Sequence, residues 1–143
     1  MPKRRDRKGE SLPPFVPMTW QLLNSDAYKA LSYASRAMLP YFIGKPEYSD
    51  GKKINLRSDL YFKTKFTFSY REAVKLGCTT RTFTRVIEDL MRKGFIDPID
   101  KGGLRGGGLS YNVFKMSDRW KQYNKKEFVE AIEWKKFIAN TQK

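Results

Sequence analysis

Thr79-Thr80-Arg81-Thr82-Phe83-Thr84-Arg85 is the stretch of this chain best equipped to meet a polyanion. A guanidinium presents parallel N–H donors that fit the O6/N7 edge of guanine or two oxygens of a phosphate. A threonine hydroxyl bonds a phosphate, and its methyl packs on a thymine methyl. Helical spacing decides which way these groups face. At about 100° per residue, Phe83, Val86, Ile87 and Leu90 form one apolar stripe, and Arg81, Thr84, Arg85 and Glu88 lie opposite it. Thr80 and Thr82 fall in the first turn, near the positive end of the helix dipole. A helix face that serves solubility alone favours Glu-Lys pairs at i,i+4, and this run has none.

The neighbouring residues are those needed to position such a helix. Ser69-Tyr70-Arg71-Glu72 is a capping box and starts a first, short helix. Gly77 interrupts it, with the positive φ that turns the chain sharply. Ala73 is small where two helices must cross, Cys78 fills the position after the turn, and Thr79 caps the second helix. That helix is predicted to run to about Lys93, with Gly94 stopping it. Residues 95–99 and 109–116 read as two short strands, and the loop between them holds five glycines with Lys101 and Arg105. A glycine-rich loop between strands approaches another backbone closely. It lacks the Gly-Lys-Ser/Thr ending of a nucleotide-binding loop and opens no helix.

Upstream, residues 18–43 are predicted as one helix capped by Thr19, with Trp20, Leu23, Ala27, Leu31, Ala34 and Met38 at spacings of three and four, ended or kinked by Pro40. Residues 44–57 form a turn-rich connector, and the alternation in residues 61–68 predicts a half-buried strand. Residues 1–17 are an arm broken by prolines, in which Arg4, Arg5 and Arg7 contribute to five positive charges against two negative over residues 2–10. Residues 125–141 are predicted as a last helix. Its apolar side, with Trp134 and Phe137, either packs on residues 20–42 or pairs with a second chain, and pairing to a homodimer is the expectation. The domain division is therefore an arm over 1–17, a core domain over 18–120 and a C-terminal helix over 121–143.

Composition limits the chemistry. The chain of 143 residues has no histidine, which removes the usual general base and the commonest metal ligand. Glu88 and Asp89 are adjacent and so sit on different helix faces. Neither a catalytic constellation, a metal site, a cofactor nor a small-molecule ligand is expected, and the chain reads as a non-enzyme. With 29 basic and 15 acidic residues the net charge is +14, which favours a polyanionic partner through counterion release. One cysteine fits a reducing compartment. No apolar run reaches the roughly 18 residues of a membrane helix, and no signal sequence is evident. A cytoplasmic, nucleoid-associated location is expected.

The order helix, strand, helix, sharp turn, helix, strand, glycine-rich loop, strand is that of a winged helix. The chain resembles the winged-helix proteins of phages, plasmids and integrative elements over roughly residues 20–120. The resemblance rests on Trp20-Gln21-Leu22-Leu23-Asn24-Ser25, Phe68-Ser69-Tyr70-Arg71-Glu72-Ala73, Gly94-Phe95-Ile96 and Ser117-Asp118-Arg119-Trp120. It implies an α+β, mostly helical fold and duplex DNA binding, as a transcription regulator or a replication initiator. Thr79, Thr80, Arg81, Thr82, Thr84 and Arg85 would then enter the major groove, with Lys101, Arg105, Arg4, Arg5 and Arg7 on the backbone or an adjacent groove. Two other functions stay open: a winged helix used for protein interaction, and binding of single-stranded or structured nucleic acid by stacking on exposed aromatics.

Overall fold

Three hydroxyl caps divide the N-terminal helical region. In the computed structural model, which describes residues 13–101, 112–131, 133 and 134, the expected single helix over 18–43 is replaced by α1 (Trp20–Leu23), α2 (Asp26–Lys29) and α3 (Tyr33–Ile43). The side-chain oxygens of Thr19, Ser25 and Ser32 accept from the backbone N–H groups of Leu22, Tyr28 and Ser35. Such bonds offer the backbone an alternative to continuing a helix, so each serine restarts one instead. The apolar spacing survives in part. Ala27, Leu31 and Met38 are buried, but Leu22 takes the inward place and Trp20 is 78 % exposed. Pro40 does not end α3, which runs on to Ile43. The proline forfeits one intrahelical bond. Phe42 and Ile43 still enter the core, and the Gly44 N–H closes on the Pro40 carbonyl at 3.1 Å.

The expected strand over 61–68 is also shorter. Tyr61–Lys63 form a 3-10 turn, and only Phe66–Thr67 (β1) pair in the sheet. Tyr61 turns into the core and its hydroxyl donates to the Ile43 carbonyl at 2.6 Å. That bond satisfies the buried phenol and fastens the turn to the end of α3. The connector before it is ordered, with a bridge between Glu47 and Lys53 and a buried Ile54.

The capping box of Ser69 and Glu72 starts α4 (Tyr70–Lys75) as the sequence predicts, each side chain bonding the other's backbone N–H. Gly77 has φ +92°, and Cys78 returns to the core with its N–H on the Ala73 carbonyl at 2.9 Å. Thr79 caps α5 (Thr80–Arg92) by accepting from Thr82. Gly94 has φ +88° and a second constraint, because a Cβ there would stand 2.7 Å from the Trp120 nitrogen.

β2 (Ile96–Asp100) and β3 (Val113–Met116) complete an antiparallel sheet of order β1-β3-β2. Phe66 faces Phe114, Ile96 faces Met116, and Pro98 faces Phe114. Proline is tolerated because β2 is an edge strand, where a missing N–H breaks no inner ladder. The described chain is thus an α+β fold of five helices and a small sheet around one core. None of its helices is long and apolar enough to cross a membrane.

The C-terminal expectation is corrected. Residues 125–131, 133 and 134 are not α-helical; they form turns and an irregular strap, while residues 135–143 lie outside the described ones. Arg119 holds the strap's start, donating to the Val129 carbonyl at 2.7 Å while its other N–H groups reach Asp97 and the Met91 carbonyl. Trp134 is 1 % exposed and packs against Phe114, the two ring planes tilted by 37°. The indole expected to meet a second chain is therefore consumed by its own core. A backbone segment closed onto β3 and α5 buries that ring more fully than an isolated amphipathic helix can.

Asp89 ties α5 to α3. Its carboxylate accepts from the Ser32 N–H at 2.9 Å and from Lys93 at 2.7 Å. Burial pushes this carboxyl up, but Lys93, the Ser32 N–H and the Ser35 hydroxyl together hold it below the ordinary range. A depressed folded-state value stabilises above the unfolded value of about 4 and is lost as pH falls through the folded value. Asp89→Asn is expected to cost about 1–3 kcal/mol at pH 7, with the gap to wild type closing below about pH 4. Urea unfolding at pH 7 and pH 3 checks this; a gap of equal size at both would contradict it.

Candidate nucleic-acid interface

α5 owes its orientation to the stripe read from the sequence. Phe83, Val86, Ile87 and Leu90 are buried, joined by Met91, and Phe83 stands within ring contact of Phe42, Phe68 and Tyr70. With that face fixed inward, Arg81 and Arg85 are exposed on the other. Arg92, which the sequence reading passed over, is exposed as well. The three lie within about 40° of one another around the helix and span about 16 Å along it. Arg85 follows Arg81 by 4 residues and Arg92 follows Arg85 by 7, helical spacings that are legible in the sequence.

The threonines divide. Thr80 is exposed in the first turn; Thr79 is exposed too, but its hydroxyl oxygen is engaged as the cap. Thr82 is half-buried. Thr84 is drawn sideways: its hydroxyl donates to the Thr80 carbonyl at 3.1 Å and lies 3.0 Å from the Tyr70 hydroxyl. Because the Thr84 hydrogen is committed, Tyr70 must donate to Thr84, and Tyr70 in turn accepts from the Trp134 indole N–H at 3.4 Å. Glu88, expected on the open face, accepts from the Trp134 backbone N–H at 2.9 Å. The open line of α5 is therefore an arginine line, with Thr84 turned to Tyr70 and Glu88 to the strap.

Lys101, at the end of β2, is engaged within the chain. Its ammonium donates to the Trp134 carbonyl at 2.9 Å and stands 4.8 Å from the centre of that ring. Arg105 and the arm residues Arg4, Arg5 and Arg7 lie outside the described residues. The structure thus brings Thr80, Arg81 and Arg85 onto one exposed surface, adds Arg92, and separates Thr84 and Lys101 from it.

Near the N-terminal side of α4, Lys45 pairs with Glu72 and sits over the Phe68 ring. Burial pushes the Glu72 carboxyl up, but Lys45 and Ser69 hold it below its usual range. The pair braces the start of α4. Comparison with protein-family models, with curated proteins and with solved structures finds no match to this chain.

Proposed function

We propose that this chain is a winged helix-turn-helix protein that binds double-stranded DNA, with α5 as the helix that enters the major groove. The observation that carries the reading is the arginine line of α5. A helix held by a fully apolar inner stripe, preceded by a tight glycine turn and a capped short helix, presents Arg81, Arg85 and Arg92 outward. A major groove about 12 Å wide admits one helix, and arginines at this spacing meet guanine edges from its first half and phosphates from its end. The net charge of +14 favours the same partner. The role we assign is that of a transcription regulator or a replication initiator.

A second reading, single-strand binding, draws on the exposure of Trp20 at 78 % and Tyr33 at 84 %, rings that bases can stack on. One titration separates them. Fluorescence anisotropy on random duplex, on single strand and on a duplex selected from a random pool is run from 50 to 200 mM salt, conditions over which 6–10 phosphate contacts cost about 10³–10⁵ in affinity. Tighter binding to the selected duplex with a steep salt slope is expected. Preference for single strand, abolished by Trp20→Ala and Tyr33→Ala, would favour stacking instead.

A further inference from the structure

A loop that the duplex reading has not used is fastened at the C-terminal end of α5. Arg119–Gln122 form a 3-10 turn that docks there, the Trp120 N–H donating to the Gly94 carbonyl at 3.0 Å. The chain then closes a short loop over residues 123–128. Its ends meet through the Tyr123 and Phe128 rings, set edge to face at 5.4 Å, and the Arg119 guanidinium stands over the Phe128 ring. Asn124 turns the chain with φ +71°, a conformation asparagine tolerates better than most residues. The N–H groups of Lys125 and Phe128 close on the carbonyls of Gln122 and Lys125 at 2.9 and 3.1 Å. The tip is Asn124-Lys125-Lys126, all exposed. Lys125 and Lys126 line one cleft of about 730 Å³ with Arg92. Among the described residues none of these three makes an ion pair, whereas Lys93 beside them is taken by Asp89. Glu130 and Glu133 of the strap also line the cleft, so three unpaired cations share it with two carboxylates and the excess is positive.

We infer that the loop over residues 123–128 is a phosphate clamp, in which Lys125 and Lys126 join Arg92 on the DNA backbone where α5 leaves the major groove. The inference rests on the duplex reading above. Arg92 ends the outward arginine line, about 16 Å along α5 from Arg81. A major groove is about 12 Å wide and about 8.5 Å deep. With Arg81 and Arg85 on base edges, the Arg92 end therefore stands at the phosphate rim, and the loop stands there with it. Its closed ends account for the fit to that task. Lysines on a loop already fixed at both ends lose less freedom on meeting a phosphate than lysines on a free chain.

The test uses the full chain with Lys125→Gln and Lys126→Gln together, on random and on selected duplex across a salt series. At 0.15 M salt each lost phosphate contact should cost about fivefold in affinity, alike on both duplexes, and flatten the salt slope by about 0.9. Thermal stability should stay at the wild-type value. Lys125→Arg with Lys126→Arg should keep wild-type affinity, since either cation serves a phosphate. Lys52→Gln with Lys63→Gln removes the same charge from exposed positions outside the cleft and should leave affinity and slope nearly unchanged. A photo-crosslinker placed in turn at Arg92 and at Lys126 should mark neighbouring nucleotides of the selected duplex. Unchanged affinity and slope in the Lys125, Lys126 pair overturn the inference. So do an equal loss in the Lys52, Lys63 pair, which would make the effect one of net charge, and adducts from Lys126 scattered along the duplex. Arg81→Ala with Arg85→Ala is measured alongside. If wild type binds the selected duplex and this double variant does not, a silent lysine pair removes the clamp alone; if wild type binds no duplex, both readings fall.

Discussion

Replacing Arg81 and Arg85 together by alanine is expected to abolish recognition of a preferred duplex while leaving the fold intact. A bidentate arginine–guanine contact discriminates by about 1–3 kcal/mol, so the pair stands for about 2–6 kcal/mol, a thirtyfold loss or more. Both side chains are exposed on the face of α5 opposite the buried stripe, so no core contact goes with them. Surface changes of that kind shift stability by about half a kcal/mol or less. Arg92→Ala has a different signature: as a phosphate contact it should weaken every duplex alike and flatten the salt slope by about 0.9. Anisotropy titrations paired with thermal melts check all three. Equal affinity of wild type and double variant for the selected duplex would remove α5 from the interface.

The second large effect is on stability. Phe42 is 0 % exposed, and its ring lies 4.6 Å from that of Phe68, 5.8 Å from Phe114, 6.1 Å from Phe83 and 6.2 Å from Phe66. One side chain on α3 therefore meets β1, the entry to α4, α5 and β3. Phe42→Ala removes the ring and leaves a cavity between elements that cannot all collapse into it, a loss of about 3–5 kcal/mol. For a chain of this size that corresponds to a fall in Tm of about 10 °C or more. Urea unfolding gives the free energy directly, and a cost below about 1.5 kcal/mol would mean that the rings do not share one cluster. Where the variant remains folded, its duplex affinity should also fall, because Phe83 loses one of the three rings that hold the rotation of α5.

Local chemistry made the site's frame legible. The bonds of the Ser69–Glu72 capping box span three residues, Gly77 and Gly94 announce positive φ by having no Cβ, and the 3.6-residue period sorts α5 into its two faces. The paired strands around the glycine-rich loop showed in the same way, through alternation. The cap and the turn are complete within one short stretch of chain, and the inward stripe and the arginines of α5 follow its period, whereas Thr84 and Glu88 do not keep the face their phase gives them.

What the sequence by itself determined is therefore the α4–turn–α5 unit, its inward stripe and its outward arginines. Tertiary structure decided the rest. Whether residues 18–43 make one helix or three depends on the competition between apolar spacing and the hydroxyls of Ser25 and Ser32, and burial of Leu22 in place of Trp20 tips it. Thr84 has the same helical phase as an outward residue, but Tyr70, 14 positions earlier, claims its oxygen. Trp134 reads as part of a helix seeking a partner; its actual partners are Lys101, Glu88 and Tyr70, at separations of 33, 46 and 64 residues. Periodicity records the neighbours a residue has along its own helix or strand. It carries no trace of a bond whose other half is brought near only when the chain has folded.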